Sequence, residues 1–169
     1  LGCSISKPVS DQDVLLIENC RVSGKILGER TVGGIVADGY AVVNGCVNLA
    51  DVTAGATYAA SDNTHDTAGG IIGSMSGEVT NCLNFATVTA EDVAGGIAGE
   101  VSSAWRGNIT TSVNAGIVVD SSTTGSSKIG AVAGYTPRIG DAKFTGNYFD
   151  TQYSPLSPFP GQSSDGMTA

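Results

Sequence analysis

The chain has 169 residues, 41% hydrophobic and only 14% charged, with 24 glycines and a formal net charge of −8 at pH 7. That length allows one domain with its own core, and little charge beside much glycine suits tight, repeated turns. The eight lysines and arginines are too dispersed to neutralise a phosphate backbone, and no apolar run reaches the about 18 residues of a membrane span, which argues against nucleic acid and against direct membrane insertion.

Residues 1–16 read as an N-terminal arm or a degenerate unit around Cys3-Ser4-Ile5-Ser6. They lack the basic start and apolar stretch of a signal peptide, so any targeting segment is expected to have gone with a parent protein. From Asn19 the chain repeats itself. One half-unit reads Asn19-Cys20-Arg21-Val22, then Gly45-Cys46-Val47-Asn48-Leu49-Ala50-Asp51-Val52, then Asn81-Cys82-Leu83-Asn84-Phe85-Ala86-Thr87-Val88. Looser copies open at Thr111-Ser112-Val113-Asn114 and Gly146-Asn147-Tyr148-Phe149. The other half-unit reads Val32-Gly33-Gly34-Ile35, Ala68-Gly69-Gly70-Ile71, Ala94-Gly95-Gly96-Ile97 and Ile129-Gly130-Ala131-Val132, the last without its second glycine.

From the first glycine to the cysteine position is 13 residues in two copies and 17 in two; the return interval is 13, 23, 13 and 18. The minimal repeat is therefore 26 residues, with insertions at fixed points. Each half carries a short β-prone run bounded by Gly, Asn or Thr, and no apolar spacing holds a helical period. Such a unit cannot bury its own apolar face, so copies must stack. The expected fold is all-β: a repeat-built parallel β-solenoid, β-helix-like, with about four to five short rungs and irregular ends. One domain is expected over 1–169, with repeats over 17–153 and a tail over 154–169 that Pro155, Pro158 and Pro160 turn into an irregular cap.

Period two places Cys46, Asn48, Ala50 and Val52 on one side of the second half-unit. Cys82, Asn84, Ala86 and Val88 repeat that set, as do Ser112, Asn114, Gly116 and Val118, so it is assigned inward, with a thin core. Cys20, Cys46 and Cys82 then form a column of buried free thiols; disulfide pairing or metal ligation are the other readings. Asn48, Asn84 and Asn114 are expected to hydrogen-bond along the axis.

The Gly-Gly-Ile and Asn/Gly-Cys-x-Asn-x-Ala/Gly-x-Val patterns resemble the GLUG-type repeats of large bacterial surface proteins, over Asn19 to Tyr153. The closing Asn147-Tyr148-Phe149-Asp150-Thr151 is similar to the aromatic-Asp-Thr that ends such arrays. Such repeats occur in IgA-peptidase-like and adhesin-like proteins. The resemblance implies a structural or adhesive module of a secreted or cell-surface bacterial protein.

No catalytic residue, metal ligand or cofactor is expected. His-Glu-x-x-His is absent, and the only histidine, His65, lies in an insertion with Asp62 and Asp66 as its visible partners. Glu78, Glu91, Asp92, Glu100, Asp120 and Asp141 occupy different repeat positions, so no grouped carboxylates are expected. A carbohydrate-binding or polysaccharide-processing domain is the alternative. The binding candidates are the residues left outward: Val47, Leu49, Leu83, Phe85 and Val113, flanked by Arg21 and Tyr148, with Trp105 on a loop. The expected partner is an unidentified protein or glycan, or a neighbouring domain of the parent.

Overall fold

The computed structural model describes residues 4–5, 15–55, 65–101, 107–123, 127–136, 143–152 and 156, with Ser4 and Ile5 as backbone only. Among them there is no helix. The strands are β1 (Ser4–Ile5), β2 (Leu15–Glu18), β3 (Arg21–Gly28), β4 (Thr31–Gly33), β5 (Val36–Asn44), β6 (Val47–Ala54), β7 (Thr67–Gly69), β8 (Ile72–Thr80), β9 (Leu83–Asn84), β10 (Val88–Ala90), β11 (Val93–Gly95), β12 (Ala98–Val101), β13 (Asn108–Thr110), β14 (Val113–Asn114), β15 (Val118–Asp120), β16 (Lys128–Gly130), β17 (Ala133–Tyr135), β18 (Lys143–Thr145) and β19 (Tyr148–Phe149).

They form three sheets. Sheet I holds β1, β2, β5, β8, β12, β13, β17 and β18; sheet II holds β3, β6, β9, β10, β14, β15 and β19; sheet III holds β4, β7, β11 and β16. Pairing is parallel in all three, for example β5 with β8, β6 with β9 and β7 with β11. From β4 onward the chain visits sheets III, I and II in turn and then returns to III. The sequence copies fall in register: Val32, Ala68, Ala94 and Ile129 lie side by side, as do Gly33, Gly69, Gly95 and Gly130.

A left-handed residue separates sheet I from sheet II in every copy. Asn19, Asn81 and Thr111 have φ of 54°, 55° and 49°, and Gly45 and Gly146 have 64°. Only glycine, and to a lesser degree asparagine, enters that region without steric penalty, which accounts for Asn or Gly before the cysteine position. Thr111 is the exception, a β-branched residue held there.

The inward assignment is correct: Cys46, Asn48, Ala50, Val52, Cys82, Asn84, Val88, Ser112 and Asn114 are all fully buried. The core has two parts. Val43, Ile71, Ile72, Met75, Val79, Ile97, Val101 and Ile109 fill one with Cys46 and Cys82. Val32, Val52, Ala68, Val88, Ala94 and Val118 fill a smaller one.

The asparagines stand between those parts, Asn48 lying along the chain between Cys46 of one cluster and Val52 of the other. Asn48 Nδ2 donates to Asn84 Oδ1 at 2.8 Å, and Asn84 Nδ2 donates to Asn114 Oδ1 at 2.8 Å. Each amide also bonds its own backbone two residues on, as Asn84 does with Ala86 N–H and Ala86 C=O. Asn114 Nδ2 ends the row on the carbonyl of Ala131 at 3.0 Å. Val22 and Phe149 occupy the flanking register positions, so apolar residues close the amide row at both ends. Buried amides of this kind are tolerated because every donor and acceptor is used.

Candidate functional site

The outward face of sheet II is the surface formed by the residues left over from that burial. Strand register aligns Arg21, Val47, Leu83, Val113 and Tyr148 in one row. A second row runs through Ser23, Leu49, Phe85 and Ala115, tied by Phe85 N–H to Asn48 C=O and Ala115 N–H to Asn84 C=O. Phe85 is 53% exposed and Tyr148 58%, whereas Val47, Leu49, Leu83 and Val113 are half-buried between their neighbours. The face is therefore apolar and continuous, with its most accessible groups at Phe85, Tyr148 and nearby Ile117. Trp105 lies outside the described residues, as do Cys3, Asp62 and Asp141.

The thiols are free, and each donates to a backbone carbonyl: Cys20 Sγ to Glu18, Cys46 Sγ to Asn44 and Cys82 Sγ to Thr80. Cys20 N–H donates to Cys46 Sγ at 3.4 Å, Cys82 N–H to Ser112 Oγ at 3.1 Å, and Ser112 N–H to Asn147 Oδ1 at 3.0 Å. Burial pushes the Cys46 thiol up, and pushes Cys82 up to about 11, against a smaller lowering by backbone N–H donors. These are inert thiols. Cys20 departs from the expected column of buried thiols: it is exposed, because β3, the strand that follows it, is the last of its sheet on that side.

A second site lay hidden in the sequence. His65, Asp92, Val93, Glu100, Lys128 and Tyr135 line a pocket of about 390 Å³. Strand register builds it, placing Val93 beside Lys128 and Glu100 beside Tyr135. His65 Nδ1 stands 4.0 Å from Asp92 Oδ2, which also accepts the Asp66 N–H at 3.0 Å. The Lys128 ammonium lies 3.5 Å from the centre of the Tyr135 ring, a cation–π contact. Two of the carboxylates expected to be dispersed, Asp92 and Glu100, thus meet in one hollow: they differ in repeat position, yet they flank the short turn from sheet III to sheet I. Likewise His65 meets Asp92, a carboxylate of the next copy that lies outside its own insertion. Among the described residues no group of three or more His, Cys, Asp or Glu side chains could hold a metal ion.

No family model matches the chain, and no curated protein matches it. The fold is similar to the crystal structure of a "putative immunoglobulin A1 protease" from Bacteroides ovatus, with a TM-score of 0.68 at 20% sequence identity. The likeness covers 91% of this chain and 46% of that one, so this chain spans about half the neighbour's length. At that identity the likeness is one of fold.

Proposed function

We propose that the chain is a non-catalytic, repeat-built parallel β-solenoid module, of GLUG type, belonging to a larger bacterial cell-surface or secreted protein. Its role is structural or adhesive. The coiled architecture is supported by the cyclic visits to three parallel sheets and by sequence copies that share register. Membership of a surface protein is supported by the repeat pattern and by a fold neighbour named as a putative IgA1 protease. Absence of catalysis is inferred from the sequence, where no protease motif accompanies the repeats.

The observation that carries docking is the pair of outward rows on sheet II, apolar from Val47 and Leu49 across Leu83 and Phe85 to Val113. Contiguous exposed apolar surface marks interfaces, and stacked strands line such residues into one face. The ligand is a partner protein or glycan, or a neighbouring domain. Changing Leu49 and Phe85 together to Ser tests this. An unchanged melting temperature with lost self-association or partner binding supports an interface; a lower melting temperature means the face is covered by this chain itself.

A further inference from the structure

We infer that the pocket of His65, Asp92, Glu100, Lys128 and Tyr135 binds a neutral saccharide, a role separate from the apolar face of sheet II. The pocket's chemistry selects the ligand class. Its side chains carry both signs of charge: two carboxylates on Asp92 and Glu100, one ammonium on Lys128, and an imidazole on His65. An anionic ligand meets the carboxylates, and a cationic one meets Lys128. A sugar hydroxyl, in contrast, donates and accepts through the same oxygen, so it can give its proton to a carboxylate while accepting from Lys128, His65 or the Tyr135 hydroxyl. Hydrogen bonds to ionised partners are about twice as strong as neutral ones, so this set rewards hydroxyl-rich ligands.

Availability of the groups points the same way. Glu100 is half-buried at the pocket wall, and its carboxylate has no hydrogen-bond or ion-pair partner among the described residues. Val93 supplies an apolar floor for the C–H face of a ring, and 390 Å³ lies at the lower end of ligand-pocket sizes, suited to a small saccharide. Because β11, β12, β16 and β17 hold four of the lining residues in strand register, the site is preformed on rigid backbone. This narrows the carbohydrate-binding alternative to one place and leaves the docking proposal independent of it.

The test is amide-resolved NMR titration of the whole chain with lactose, chitobiose, mannobiose and maltose, each to about 10 mM, above the millimolar affinity expected of a small open site. Trilysine, a sulfated heparin disaccharide and calcium chloride serve as the competing chemistries. At least one neutral disaccharide should shift the amides of Glu100, Lys128 and Tyr135. Glu100→Ala should weaken that binding about tenfold and Glu100→Gln less, with the melting temperature kept. The Leu49→Ser, Phe85→Ser variant should bind the sugar as before, which separates failure here from failure of the docking face. Silence from all four disaccharides, shifts at this pocket from trilysine, the sulfated sugar or calcium alone, or sugar binding untouched by Glu100→Ala each overturn the inference.

Discussion

A side-chain carbon placed on Gly96 would stand 2.2 Å from Nδ2 of Asn114 and 2.2 Å from the carbonyl oxygen of Ala131. The same clash recurs between Gly34 and Asn48 at 2.7 Å, and between Gly70 and Asn84 at 2.5 Å. The second glycine of each Gly-Gly pair is thus required by the amide row and by the neighbouring backbone. The last copy supplies the control. There Ala131 replaces the glycine, Phe149 takes the register position of the asparagine, and β16 ends its sheet, so both constraints lapse together. Gly96→Ala should therefore lower stability by about 3 kcal/mol, a drop of roughly 6–12 °C in melting temperature. Adding Asn114→Ala should not restore it, since the Ala131 carbonyl remains. Full recovery in the double variant would refute the backbone half of this account.

Thr111 offers a gain instead of a loss. Its φ of 49° is shared with Asn19, Asn81, Gly45 and Gly146 at the same place in other copies, but threonine is β-branched and poorly suited to it. Its hydroxyl donates to Asn81 Oδ1 at 2.7 Å on the exposed surface, a bond of small net value. Thr111→Asn should raise stability by about 1 kcal/mol, or roughly 2–4 °C. A lower melting temperature would show that the surface hydrogen bond outweighs the backbone strain.

The thiols should separate by accessibility. In the native protein Cys20 should react with iodoacetamide while Cys46 and Cys82 resist, and all three should react after denaturation without reductant. If Cys46 or Cys82 stayed blocked until reductant was added, the free-thiol column would be wrong.

The same burial gives an alkaline limit. Cys82 is held at about 11 against an ordinary 9.0, so the folded state keeps a proton that the unfolded chain releases. Its contribution is present below pH 9 and is lost progressively between about pH 9 and 11, at a slope near 1.4 kcal/mol per pH unit. Cys82→Ser should fold, because Ser112 already serves the column with its hydroxyl at 3.1 Å from Cys82 N. Urea titrations from pH 8 to 10.5 should show the parent losing stability faster than this variant; parallel profiles would remove Cys82 as the cause.

Much of the fold was legible because two periods coincide in the sequence. The 26-residue recurrence and the alternation within it mark Cys46, Asn48, Ala50 and Val52 as inward, and all four are fully buried. The pocket was not legible. His65 and Asp92 lie in successive copies, and Lys128 and Tyr135 in a third, so no local spacing brings them together. Their proximity depends on how sheets III and I meet, which repeat position alone does not encode. Cys20 departs from the pattern for a related reason: identical repeat positions imply identical burial only where a strand is covered on both sides.

The amide row makes the sharpest demand on residue identity. Asn84 Oδ1 accepts from Asn48 Nδ2 and from Ala86 N–H, while its Nδ2 donates to Asn114 Oδ1 and to Ala86 C=O. All four bonds are buried, and no water-facing geometry is open to a replacement. Asn84→Asp keeps the shape and the two accepting contacts but turns the donor into a second acceptor, facing the oxygens of Asn114 and Ala86. A buried charge opposed by two acceptors should lower stability by about 3–5 kcal/mol at pH 7. The sign of its pH dependence follows. The fold raises the pKa of the introduced carboxyl, because the protonated form can donate one of the lost bonds, so stability is retained at low pH and falls as pH rises through that raised value. Asn84→Ala, which leaves the same partners unsatisfied without a charge, should lose about 3 kcal/mol with no such recovery. Comparing urea midpoints of the two variants between pH 4 and 7 reads the effect directly. Near-parental stability of Asn84→Asp at pH 7 would mean that the row is solvated, and that the three asparagines are placed there for another reason.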